Sequence, residues 1–160
     1  MEEKIVYFET AGEHNTGDTI QLVKRRAMSR EVNKVVLAST RGETAQAASK
    51  AFAGSNIQLV VIPHQFGFGQ QQLFPQALVL ELEQQGHRVH FSTMLFHTED
   101  FYGNRAPRLM ATILRTFCQG IKVCTEITLM ACNGGLVAPG EKTIAVAGTG
   151  FGADTAIVVT

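Results

Sequence analysis

The stretch VVLASTRGETAQAASKAF, residues 35–52, passes from an apolar run through a short polar turn into a segment that carries Ala45, Ala48 and Phe52 on one stripe. A short Val- and Leu-rich run bounded by turn residues reads as a strand covered on both faces, and apolar positions spaced by three and four read as an amphipathic helix. STRGET therefore joins a buried strand to a helix start, and the same alternation recurs along the chain. IVYFE (5–9) reads as a first strand, followed by a helix over 16–31 with Ile20, Val23, Ala27 and Met28 on one face. KVVLAS (34–39) is the second strand, and the helix after it, 43–53, closes at Gly54. IQLVVIP (57–63) is the third strand, HQFGFGQQQLFP a loop, PQALVLELEQQG a helix with proline at its start and glycine at its end, and RVHFS a shorter fourth strand. Residues 93–104, TMLFHTEDFYGN, show no period and are long for a connection, which marks them as functional or mobile. PRLMATILRTF and VCTEITLMAC read as helices, with strand open for KVCTEITLM because of its β-branched residues.

TIAVAGTG and ADTAIVVT end the chain as two strands about a glycine turn. Strands alternating with helices predict one α/β domain over 1–160: a three-layer α/β/α arrangement whose sheet is mostly parallel, with an antiparallel C-terminal hairpin. Strands 34–39 and 57–62 are expected as parallel neighbours at its centre.

Fourteen Lys plus Arg balance fourteen Asp plus Glu, so no global field gathers nucleic acid or a membrane surface; any anion has to be caught locally. Apolar runs too short to cross a bilayer and an N-terminus without signal-peptide layout point to a cytoplasmic protein, and a homo-oligomer is compatible with the sequence. Cys118, Cys124 and Cys132 have no CxxC spacing and read as reduced thiols. His87, His90 and His97 fit no zinc set and read as surface or edge residues, so no metal is expected.

The turn after the second strand admits two readings. Thr40 and Glu43 fit a capping box, which leaves Ser39, Gly42 and Thr44 unexplained. Alternatively the turn is a phosphate-binding loop, because it lies beyond a strand's carboxyl end, a helix start offers unpaired amides, and glycine permits close approach of an oxygen. Ser39, Thr40, Arg41, Gly42 and Thr44 are its candidate ligands. His64, directly after the third strand, with Gly67 and Phe68, offers a donor and a stacking face for a planar ring, or else a flexible loop. GTGFGAD (148–154) departs from G-x-G-x-x-G by one residue and lacks the following helix, so it reads as a hairpin turn. Gly148, Thr149, Gly150, Asp154 and Thr155 are nonetheless candidates for ligand contact. Glu126, in VCTEITLMA, is either half exposed or points into a pocket as a candidate acid or base. Asn15 and Thr16 read most simply as the cap of the first helix.

ASTRGETA resembles the phosphate loop of the pyruvate kinase C-terminal domain, Thr-x-Ser-Gly-x-Ser-Ala between a strand and a helix. Ser39, Gly42, Thr44 and Ala45 match it, and Arg41 stands at the middle serine. KIVYF, NT-x-x-T, HQFGF, KVC-x-EIT-x-MA and GADTAIVV are similar to the stand-alone, mostly archaeal pyruvate kinase alpha/beta domain proteins, over nearly the whole chain. The resemblance implies a pyruvate kinase C-terminal domain-like fold and an anion pocket that takes flavin mononucleotide (FMN), and it implies a natural chain extending past Thr160. Pyruvate kinase chemistry itself needs a TIM barrel of about 250 residues, so phosphoryl transfer from phosphoenolpyruvate is not expected. The expected function is a small-molecule binding or sensor domain for a phosphorylated ligand. The alternative is a flavin- or phosphate-dependent enzyme using Glu126 or His64. A pure interaction module has no use for the anion turn.

Overall fold

The computed structural model describes residues 4–99 and 103–160. Five strands form one sheet: β1 (Lys34–Ala38), β2 (Gln58–Ile62), β3 (Arg88–Val89), β4 (Thr143–Ala147) and β5 (Thr155–Val159), in the spatial order β3-β2-β1-β4-β5. β1 is central and parallel to both neighbours, with Val36 opposite Val60 of β2 and Ala145 of β4. β5 closes the sheet antiparallel to β4, the expected hairpin, and no helix follows Gly152.

Among the described residues the longer helices are α1 (Thr16–Ser29), α2 (Glu43–Phe52), α3 (Gln76–Gln84), α4 (Ala106–Arg115) and α5 (Gln119–Asn133). Successive strand residues face opposite sides, so β1 serves two cores. Val35 and Leu37 pack with α1, α2 and α3 through Val23, Ala45 and Leu78, while Val36 packs under α5 through Ile127 and Met130. A run apolar at every position is what a strand buried on both faces requires, and residues 35–37 of β1 are at most 1% exposed. The β-branched residues of 121–128 belong to α5, because this segment must cover the sheet as a helix with one apolar stripe.

Several expectations are corrected. Residues 5–9 are not a strand and join no sheet among the described residues, and Ile5 and Tyr7 are 71% and 85% exposed. α1 stops at Ser29, leaving Met28 exposed and Glu31 at φ 54. β3 spans two residues of RVHFS, an edge strand paired only to β2. Of the 93–104 segment, residues 95–97 form a single 3-10 turn, and 100–102 lie outside the described residues. No helix among the described residues is long and apolar enough to cross a membrane.

Strand order reverses between β1 and β4, since β1 leads to β2 on one side and α5 leads to β4 on the other. In open α/β sheets the crevice at such a reversal, beyond the carboxyl ends of the strands, is where ligands bind.

Candidate functional site

A cavity of about 270 Å³ opens at that crevice. The β1–α2 turn forms one wall, the end of β2 with His64 and Phe68 another, and Lys122 and Glu126 of α5 line it together with the β4–β5 turn.

The β1–α2 turn is held differently from a capping box. Gly42, at φ 103, precedes the helix, and neither Thr40 nor Glu43 caps it. Ser39 takes the capping role, its hydroxyl accepting from the Ala45 amide at 3.4 Å, and Thr40 instead pairs its hydroxyl with His64 Nε2 at 3.4 Å. Gly42 is required by its backbone angle and by packing: a Cβ there would stand 2.3 Å from Leu78 Cδ2. This explains the glycine without a ligand. What packing leaves unexplained is the donor set. The amides of residues 40–44 meet no acceptor among the described residues, and Thr44, 7% exposed, lines the cavity with a hydroxyl that has no partner there. Arg41 adds a cation, its guanidinium lying 4.8 Å above the Phe151 ring. Consecutive unpaired amides at the positive end of a helix form an anion-binding concavity.

On the opposite wall, Glu126 points inward, 2% exposed. One of its oxygens accepts from the Phe96 amide at 2.9 Å and lies 3.3 Å from His97 Nδ1. The other binds Lys122 Nζ at 2.5 Å, and that ammonium also lies over the Phe96 ring at 5.4 Å. Phe68 stands edge-on to His64 and to His97, with centroids 4.7 and 5.4 Å away. Burial, then the charge of His97, holds His64 below its ordinary pKa against the opposing pull of Glu126.

Among the expected site residues, Ser39, Thr40, Arg41, Thr44, His64, Phe68, Glu126, Gly148 and Gly150 come together around the cavity, with Gly42 in the same turn. Gly67, Thr149, Asp154 and Thr155 do not line it. Asp154 is occupied: its carboxylate accepts from the amides of Gly12 at 2.9 Å and Thr149 at 3.1 Å and from the Thr155 hydroxyl at 2.8 Å. Thr16 is tied to this turn, its hydroxyl accepting from the Ala153 amide at 2.9 Å, while Asn15 donates to the Thr10 carbonyl rather than capping α1. Lys122 and His97 were not among the expected site residues. His97 lines the cavity rather than the surface, and His87 is buried, its Nδ1 accepting from the Leu59 amide at 3.3 Å. The signal for Lys122 was legible: a lysine in an apolar helix, four residues before a glutamate, forms a pair on one face. The three thiols are unpaired, and burial pushes that of Cys124 up. Among the described residues no group of three or more His, Cys, Asp or Glu is placed to hold a metal.

No model of a known protein family matches the chain. Among solved structures, a pyruvate kinase from Cryptosporidium parvum superposes with a TM-score of 0.51 at 12% identity, over 95% of this chain and 23% of that one. A Cryptosporidium parvum pyruvate kinase in complex with ADP gives a TM-score of 0.48 at 12% identity, over 95% of this chain and 24% of the other. The chain thus spans under a quarter of the length of the pyruvate kinases it matches. The first of these likenesses shows the fold, an α/β fold of the pyruvate kinase C-terminal domain type, and the ligand has to be argued from the site.

Proposed function

We propose that this chain is a small-molecule binding or sensor domain that holds a phosphorylated ligand at the carboxyl ends of β1, β2 and β4, and that it is a member of the stand-alone pyruvate kinase alpha/beta domain proteins. One observation carries the reading: the amides of residues 40–44 and the Thr44 hydroxyl have no partner among the described residues, and Thr40, Arg41, Glu43 and Thr44 line the cavity. Each hydrogen bond from such a donor to a charged phosphate oxygen is worth about 1.5 to 3 kcal/mol. Phosphate oxygens accept from the amides and from Thr44, and Arg41 neutralises charge at the rim.

FMN is the proposed ligand. The turn fits its phosphate, and the exposed rings of Phe68 and Phe151 at the rim offer faces for its planar end. The cavity, about 270 Å³, is slightly smaller than the usual small-molecule range, so part of a ligand the size of FMN extends beyond it. Bound FMN would supply one- and two-electron redox chemistry. The chain's own part is to bind the phosphate, exclude water beneath Phe68 and hold the Lys122–Glu126 pair against the ligand. That buried pair, with His97 beside it, supports a second reading: an enzyme whose Glu126 or His64 moves a proton. An absorbance spectrum of the isolated protein, and of protein soaked in FMN and desalted, tests the cofactor. A flavin band that co-elutes with the chain is expected, and a protein that stays colourless after soaking removes FMN from the proposal.

A further inference from the structure

The two ends of the cavity have the same hydrogen-bond polarity. At the β1–α2 turn the unspent groups are donors. At α5 the accounting also leaves donors over. Glu126 has three partners, the Phe96 amide, His97 and Lys122, so its lone pairs are largely taken. Lys122 carries three N–H donors, and Glu126 is its one hydrogen-bond acceptor among the described residues. It is 2% exposed, and its remaining contact is the Phe96 ring. A buried ammonium with spare donors costs free energy until an acceptor fills them. Arg115, whose Nε donates to Gln119 Oε1 at 2.7 Å, places a second cation on the same wall.

We infer that Lys122 is a second ligand anchor, and that the site selects phosphorylated molecules bearing a carboxylate or carbonyl oxygen at the end away from the phosphate. Glu126 is a positioning residue in this arrangement: it holds the ammonium in place and is itself fixed by the Phe96 amide. A hydroxyl at the same place satisfies Lys122 less well, because it brings no charge and only a weak acceptor. The inference rests on the phosphate reading of the turn and adds the chemistry of the far end.

The test is calorimetric titration of the full chain with two matched pairs of different length: glycerol phosphate against phosphoglycerate, and sorbitol phosphate against phosphogluconate. Within each pair a hydroxymethyl group replaces a carboxylate. In the pair that spans the cavity, the acid should bind roughly ten- to a hundredfold tighter, the range of one charge-assisted hydrogen bond. In Lys122→Met/Glu126→Gln, which removes both charges and leaves no uncompensated one, that gap should close because the acid loses far more affinity than the alcohol. Should the double variant not fold, Lys122→Arg, which keeps the charge but moves the donors, should narrow the gap. Equal binding of acid and alcohol in both pairs by the parent overturns the inference and leaves the phosphate site standing. A gap that survives loss of the Lys122 ammonium overturns it too. If no phosphate ester binds the parent and inorganic phosphate also fails, the underlying reading falls with it.

Discussion

Two glycine-containing turns stand at the same edge of the sheet and look alike as strings of letters: STRGET after β1 and GTGFGAD after β4. Their polar side chains are spent differently. In the second, Asp154 accepts from Gly12, Thr149 and Thr155, the Ala153 amide donates to Thr16, and Gly148 and Gly152 are glycines because neighbouring backbone fills the space of a Cβ. In the first, Ser39 and Thr40 have partners, but the amides of 40–44 and the Thr44 hydroxyl have none among the described residues. Glycine content therefore does not separate the two turns, and neither does the backbone, since the amides of 148 and 150–152 also meet no acceptor among the described residues. The side chains do: Asp154 ties the second turn to Gly12, whereas the Thr44 hydroxyl beside the first has no partner there.

That contrast can be broken most strongly at Gly152. It sits at φ 68, and a Cβ there would lie 2.6 Å from Glu13 Cα and 2.3 Å from Thr16 Oγ1. Gly152→Ala should cost about 3 kcal/mol of folding stability, combining the left-handed backbone with overpacking against main chain, as read by urea denaturation. A cost under about 1 kcal/mol would mean that the second turn is freer than its packing implies.

Asp154→Ala comes next. It strips acceptors from two amides and a hydroxyl and should cost about 1 to 3 kcal/mol of stability, while phosphate-ester affinity of the folded protein changes little. A large loss of affinity at unchanged stability would make the second turn part of the binding surface.

The smallest effect concerns the first turn and pH. His64 has its folded pKa lowered from 6.5, chiefly by burial, so the unfolded chain takes up a proton first as pH falls. The stability due to this group is then fully present above pH 6.5 and declines below it toward the folded pKa. Melting temperatures should fall modestly from about pH 7 to pH 5, and less steeply in His64→Gln. A bound phosphate beside Thr40 opposes the lowering, so phosphate binding should take up protons and tighten as the pH drops. Binding that weakens toward pH 6 would set the phosphate far from His64.

Much of the fold was legible because binary pattern and burial agree. VVL of β1 and LVVI of β2 are apolar throughout and buried on both faces, and Gly54 and Gly86, at φ 73 and 86, follow the ends of α2 and α3. IVYFE shows where the pattern misleads, since strand propensity alone does not pair the segment with the sheet, and Ile5 and Tyr7 stay exposed. The capping box failed for a local reason: Gly42 adopts φ 103 and stands at the N-cap in place of Thr40, so the helix starts two residues later and Thr40 pairs with His64. Thr40→Ala should accordingly cost less than the roughly 1 kcal/mol of a lost cap. The far wall was half legible. Glu126 stood out as a carboxylate among apolar residues, but its partners depend on tertiary packing that sets the 95–97 turn against α5.

The central claim, that unspent donors at 40–44 mark a phosphate site, is tested most directly at Thr44. The parent and Thr44→Ala are titrated with FMN, followed by flavin fluorescence, and with a sugar bisphosphate by calorimetry, and each is melted without ligand. The account expects the parent to bind and Thr44→Ala to bind roughly ten- to a hundredfold more weakly, the worth of one donor to a charged acceptor, with the ligand-free melting temperature almost unchanged. A Thr44→Ala protein that binds as tightly as the parent, or a parent that binds neither ligand, would contradict it.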